Sequence, residues 1–228
     1  ACRELGHDTV ELSFRNNYQK FLQELRLADI VFNGLHGTVG EDGIIQAWMD
    51  KNSILYTGSG ALSSALCMNK DKSKNVARNL GLLTPDWEII HGIDDVISFH
   101  TPLVIKPNNQ GSTVGLSIVR NIGDKAAAID EAMKYSDNII VEKYIPGREI
   151  TLAILGEKVL PIVEIRSSHE LYDYECKYTP GMSEYICPAA LDHNLTKDIQ
   201  KNTEKIFKAL DCRAYGRADY LLDEEGRY

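Results

Sequence analysis

Lys106 stands inside the apolar stretch PLVIKP. A lysine in such a strand must reach water or meet a negative partner, and phosphate is one such partner. Just beyond it runs Gly111-Ser112-Thr113-Val114-Gly115, where glycines let backbone amides turn toward an anion and the hydroxyls of Ser112 and Thr113 can add donors. Taken alone, that loop is better explained as an ordinary hairpin turn. Lys70 is a second candidate cation, although Lys72 and Lys74 beside it fit a solvated helix face. Glu142 and Glu149 bracket KYIPGR and offer two acceptors, one for a lysine on the adenine side of a nucleotide and one for ribose hydroxyls; isolated surface acids have the same appearance. Arg217 and Asp219, two apart in a strand, project from one face. There Asp219 suits a magnesium ion and Arg217 suits a developing negative charge, and a simple ion pair is an equally open reading.

The familiar short signatures are missing: there is no GxxxxGK[ST] loop, no GxGxxG between strand and helix, and no HExxH. With 33 acidic against 25 basic side chains the net charge is −8, so the general attraction to nucleic acid or anionic lipid is lacking. No apolar run approaches the ~18 residues of a membrane span, and the first residues lack the features of a signal peptide. A cytoplasmic protein is expected. Cys2, Cys67, Cys176, Cys187 and Cys212 contain no CxxC pair, which points to reduced packing residues rather than a disulfide framework or a zinc site.

The elements that must position these residues can be read from periodicity. ACRELG reads as the tail of a helix stopped by Gly6, with a strand-like DTVELSF after it. Tyr18, Phe21, Leu22 and Leu25 recur at helical spacing; ADIVFNGL and ILYTGS read as strands, with a helix over IIQAWMD between them. From Ser59 the pattern turns helical, with Gly81 as a stop and Pro85 beyond it. PLVIKP and GLSIVR flank the polar loop, a stripe of Ile129, Ala132 and Met133 marks a helix, and NIIVEKYI is a strand. ITLAIL and KVLPIVEI are joined by Gly156-Glu157, a hairpin link that predicts an antiparallel sheet. Leu195, Ile199, Ile206, Phe207 and Leu210 line one face of a helix that covers it. Ser167 to Glu184 has no clear period and reads as a long functional loop. YGRADYLLDEEGRY reads as a strand, a turn and the start of a returning strand, so further chain is expected at both ends.

Six segments, NGLHGTVGEDG, YTGSGALSSALCMNKDKSK, PLVIKPNNQGSTVGLSIV, VEKYIPGREITLAIL, YDYECKYTPG and YGRADYLLD, occur in the order of the motifs of D-alanine-D-alanine ligases, and the chain resembles that family over nearly its whole length. The resemblance implies an α/β (α+β) ATP-grasp fold behind a small α/β domain: residues 1–58, then a central subdomain over 59–142 and a C-terminal subdomain over 143–228. It implies ATP with Lys70 and Lys106 on the phosphates, the Ser112 loop closing over them, and Glu142 and Glu149 near adenine and ribose, with Lys143 and Ile145 counted in the same site. His36 and Glu41 resemble residues around the first D-alanine, while Asp42 is read as favouring a helix N-terminus. Tyr172, Lys177 and Tyr178 fall on a mobile loop that excludes water. Arg217 stabilises the oxyanion and Asp219 is the one metal ligand assigned, for magnesium or, alternatively, manganese. The family's glycine-rich first strand-loop and its last, metal-binding strand have no counterpart in the sequence. A homodimer, D-alanine preferred over D-lactate as second substrate, and no nucleic-acid or membrane partner complete the expectation. Another ATP-grasp carboxylate-amine ligase and a non-catalytic nucleotide-binding module stay open beside it.

Overall fold

The computed structural model describes residues 1–13, 18–169, 172, 176–177 and 179–228. A short 3-10 turn, Arg3–Leu5, is closed by Gly6 at φ 86°, a left-handed value that glycine adopts without steric cost. Residues 7–13 form no strand. Helices α1 (Tyr18–Leu25) and α2 (Ile44–Lys51) bury Phe21, Leu25, Ile45 and Met49 together with Ile54. The two strands expected here reduce to a single parallel bridge, Val31 to Tyr56. Ile30, Phe32 and Leu55 are exposed, and two segments that, among the described residues, pair only with each other and have an uncovered face are marginal as a sheet.

Helix α3 (Ala61–Met68) leads into α4 (Lys70–Asn79). Asn69 accepts from the Lys72 amide at 3.0 Å, capping α4, and Gly81 at φ 75° ends it. A four-stranded antiparallel sheet follows, built from β1 (Trp87–Ile90), β2 (Leu103–Pro107), β3 (Ser117–Val119) and β4 (Ile139–Lys143) in the order β1-β4-β2-β3. Alternation divides its side chains. Leu103, Ile105, Ile139 and Val141 pack with Ala128, Ile129 and Ala132 of α5 (Lys125–Met133), leaving Lys106, Ile140 and Glu142 for the opposite face. Met133, expected in the α5 stripe, turns outward at 40% exposure.

The chain crosses once, through Tyr144–Gly147, into a second antiparallel sheet. Its central strand β5 (Arg148–Leu155) pairs along its whole length with β9 (Tyr215–Leu222) and on its other edge with β6 (Lys158–Val159) and β7 (Val163–Ser167); β8 (Ser183–Ile186) adds to β7. The Gly156-Glu157 hairpin is as expected, pairing Leu155 with Lys158 and placing Gly156 at φ 61°. The even residues of β5, Ile150 and Leu152, are fully buried against Ile199 of α6 (His193–Ala209), each contributing about 1.5–3 kcal/mol by leaving water. The odd residues Glu149, Thr151 and Ala153 share the other face with Arg217 and Asp219. No helix among the described residues is long and apolar enough to cross a membrane.

Candidate active site

On the first sheet the arrangement centres on Glu142, buried at 6% exposure. Lys106 lies diagonally across from it, since β4 and β2 pair Glu142 with Val104 and Ile140 with Lys106, and its ammonium donates to Oε1. Lys74, reaching from α4, donates to Oε2 at 2.8 Å and to Thr84 Oγ1 at 2.8 Å. Burial pushes the Glu142 carboxyl up; the charges and hydrogen bonds of Lys106 and Lys74 outweigh it and hold the group below its ordinary value. The partner of the strand lysine is therefore a carboxylate of the same sheet.

Lys70 begins α4 and donates to the carbonyls of Asn108, at 3.3 Å, and Gln110. It is thereby tied to the chain entering the Gly111–Gly115 loop. Burial, reinforced by the charge of Lys106, lowers it to about 8. Three ammonium groups thus gather about one carboxylate, and the excess positive charge is suited to an anion.

The second sheet presents its open face. Arg217 forks onto Asp219, Nε to Oδ1 at 2.9 Å and an NH2 nitrogen to Oδ2 at 3.1 Å, and Thr151 donates to the same Oδ1 at 2.7 Å. Both side chains are more than half exposed. Glu149 is pushed up to about 7, first by burial and then by the Asp219 charge, with Lys177 and Arg217 pulling the other way. A carboxyl near neutrality gains from a cation or from hydroxyl donors.

The loop between β2 and β3 connects the two sheets. Ser112 and Thr113 adopt φ 54° and 63°, a conformation uncommon for residues with a Cβ. Thr113 Oγ1 donates to the Tyr172 carbonyl at 3.0 Å and accepts from Lys177 Nζ at 2.7 Å. The Lys177 ammonium also lies 5.0 Å from the centre of the Tyr172 ring, and the Tyr172 hydroxyl meets that of Tyr185 at 2.6 Å. Ser112 itself is exposed. Tyr178 lies outside the described residues.

Other expected residues stand apart from these groups. Lys143 alternates to the opposite side of β4 from Glu142, and its ammonium meets Asp86 at 2.8 Å. Ile145 is half-buried in the crossing between the sheets. His36 is exposed in its loop, while Glu41 accepts from the Gly37 amide at 2.6 Å. Asp42 accepts from the amides of Val39 and Ile44, at 2.9 and 3.1 Å, in keeping with its reading as a helix-start residue. Among the described residues no group of three or more His, Cys, Asp or Glu could hold a metal ion by itself.

Lys74 is the correction. Its solvated-face reading fails because Lys70 and Lys74 lie one helical turn apart, on the α4 face packed toward the sheet, whereas only Lys72 is exposed. The i, i+4 spacing of two lysines was the available signal.

Residues 79–228 match the family model described as D-ala D-ala ligase C-terminus. The chain is 37% identical to a D-alanine–D-alanine ligase of Halalkalibacterium halodurans, over 99% of this chain and 77% of that protein. It is 39% identical to one of Aquifex aeolicus, over 100% and 78%. A solved structure of the D-alanine–D-alanine ligase of Bacillus anthracis complexed with ATP superposes with a TM-score of 0.80 at 30% identity, covering 94% of this chain and 70% of that one.

Proposed function

This chain belongs to the D-alanine–D-alanine ligase family, and from that premise we propose how its residues divide the work of joining two D-alanines with ATP. The fold is ATP-grasp, and the reaction releases ADP and phosphate in forming D-alanyl-D-alanine for peptidoglycan precursors. The observation that carries this reading is the excess of positive charge about Glu142, where Lys74 and Lys106 meet a single carboxylate and Lys70 stands close enough to feel its charge. A polyphosphate supplies the missing negative charge, and Lys70 and Lys106 take its oxygens. Glu142 accepts from the lysines on the adenine side and Glu149 from the ribose hydroxyls, with Lys143 and Ile145 of the intervening segment counted in the same site.

The first D-alanine attacks the γ-phosphorus through a carboxylate oxygen, and ADP leaves. The amine of the second D-alanine then attacks the carbonyl carbon of the acyl phosphate. Arg217 stabilises the resulting oxyanion, whose collapse expels phosphate. His36 and Glu41 lie around the first D-alanine. The Ser112 loop, with Tyr172, Lys177 and Tyr178, covers the phosphates and keeps out water that hydrolyses acyl phosphates. The Thr113 to Lys177 bond supports this closure.

Asp219 would supply one carboxylate oxygen to a magnesium or manganese ion. Its proximity to the raised carboxyl of Glu149 favours a cation there. The chemistry such an ion would supply is screening of the negative charge between ATP and the attacking carboxylate. We further assign residues 1–58 to an α/β domain, 59–142 and 143–228 to the two ATP-grasp subdomains, the protein to the cytoplasm, and its assembly to a homodimer.

ADP release with magnesium and ATP, compared between added D-alanine and added L-alanine, tests the reading. Stimulation by D-alanine alone is expected; equal stimulation by both, or by neither, overturns it. Offered D-lactate as second substrate at neutral pH, the enzyme is expected to form the ester more slowly than the dipeptide.

A further inference from the structure

Cys67, on α3, and Cys212, in the turn between α6 and β9, are far apart in sequence, yet their sulfurs lie 3.7 Å apart. Ser63, one turn before Cys67, donates to Cys212 Sγ at 3.3 Å. The turn is held on its far side by the Arg213 amide, which donates to Ser59 Oγ at 3.0 Å. Residues of positive φ, Asp211 at 52° and Ala214 at 57°, flank it, so Cys212 is presented to α3 by a constrained loop. Cys67 is exposed, giving solutes access to the pair, and Cys212 is half-buried.

We propose that Cys67 and Cys212 are a peroxide-responsive thiol pair that closes into a reversible disulfide between α3 and the start of the strand bearing Arg217 and Asp219. Closure brings the sulfurs from contact distance to a bond of about 2.0 Å, within reach of rotation about the cysteine side chains and a small shift of the turn.

The two thiols have different parts. The hydrogen bond from Cys67 lowers Cys212 to about 6, helped by those of Ser63 and Ser59 and opposed by burial, while the same hydrogen bond, followed by burial, raises Cys67. At neutral pH one proton stays on Cys67, and Cys212 is the thiolate. Its sulfur attacks hydrogen peroxide, the O–O bond breaks, and Cys212 becomes a sulfenic acid as hydroxide leaves. Cys67 sulfur then attacks Cys212 sulfur; the S–O bond breaks, and the Cys67 proton leaves with the departing hydroxide as water. Both thiols are oxidised and one peroxide is reduced. A small dithiol reverses the bond by exchange.

The test uses the full chain treated with a slight excess of hydrogen peroxide, alkylated, digested and mapped by mass spectrometry. The expected result is a linked peptide pair containing Cys67 and Cys212 that dithiothreitol abolishes, with Cys2, Cys176 and Cys187 still alkylated. In Cys67→Ser the link is lost, and dimedone labels Cys212 as the sulfenic acid, whereas the wild type labels weakly. A wild-type map in which Cys212 stays alkylated, or in which Cys2 or Cys187 oxidises before it, overturns the proposal. So does dimedone labelling of Cys212 that is equal in the two proteins.

Discussion

Lys74 and Glu142 meet at 2.8 Å between helix α4 and strand β4, with both side chains largely withdrawn from water. The bond fastens the helix that opens with Lys70 to the sheet that carries Lys106. Its loss should therefore affect both folding and nucleotide affinity. Replacing Lys74 with Met keeps packing over the Trp87 ring, 4.8 Å away, and removes the charge. A loss of about 1–3 kcal/mol is expected, together with a raised KM for ATP. Lys72→Met, on the exposed side, is expected to stay within about 0.5 kcal/mol. Urea denaturation of the two variants decides the matter, and equal effects return Lys74 to the surface.

Glu149 ties stability to pH. Its carboxyl is raised from 4.5 to about 7 in the folded protein, so across that window the unfolded chain releases a proton the folded one keeps. The unfolded state gains as pH rises. Wild-type stability is thus expected to decline relative to Glu149→Gln from about 4.5 to about 7 and to run parallel above it. Urea midpoints of both proteins across the window measure this, and parallel curves throughout count against it.

Arg217 is expected to separate catalysis from folding. Its pair with Asp219 is exposed, a setting in which ion pairs contribute about 0–1 kcal/mol. Arg217→Ala should melt close to the wild type while D-alanine-dependent ADP release falls about 10²–10³-fold. A large drop in melting temperature with retained turnover is the opposite pattern and removes the residue from the mechanism.

Gly115 and Gly111 bound the same loop under different constraints. At Gly115, φ is 68° and a Cβ meets Tyr135 at 2.7 Å and Pro107 at 2.9 Å, whereas at Gly111 nothing lies within 4 Å. Gly115→Ala is expected to cost about 1–3 kcal/mol and to raise the KM for ATP; Gly111→Ala should be near neutral in stability. Calorimetry with ATP titration compares them.

The sequence reveals elements wherever periodicity is long or paired. The stripe of α6, the Gly156-Glu157 hairpin and the strand over PLVIKP all carried through to the structure. Strands β1 and β8 escaped notice. WEII and SEYI are four residues long with mixed polarity, and their pairing comes from β4 and β7 rather than from a pattern of their own. ADIVFNGL and ILYTGS failed in the other direction, their apolar runs resembling strands without the neighbours that complete a ladder. Among candidate site residues, Lys106, Glu142, Arg217 and Asp219 were visible as charge in an apolar strand or as a same-face pair. Lys74 was hidden among other lysines, since only the packing of α4 distinguishes it from Lys72. The closeness of Cys67 and Cys212 was beyond reach because no local pattern joins residues so remote in sequence.

Tyr144–Gly147 is where the backbone passes from one sheet to the other, with Glu142 near one end and Glu149 near the other. At Gly147 a Cβ would lie 2.6 Å from the Leu222 carbonyl, so the end of this crossing is seated against the last residue of β9. The two carboxylates are consequently held at a spacing set by chain length rather than by a surface that can yield. An added residue in the crossing is expected to keep the pairing within each ladder and to change that interval, much as a longer span alters a caliper without touching its jaws. On the proposed nucleotide site, such an insertion is expected to lower affinity for ATP more than it lowers stability.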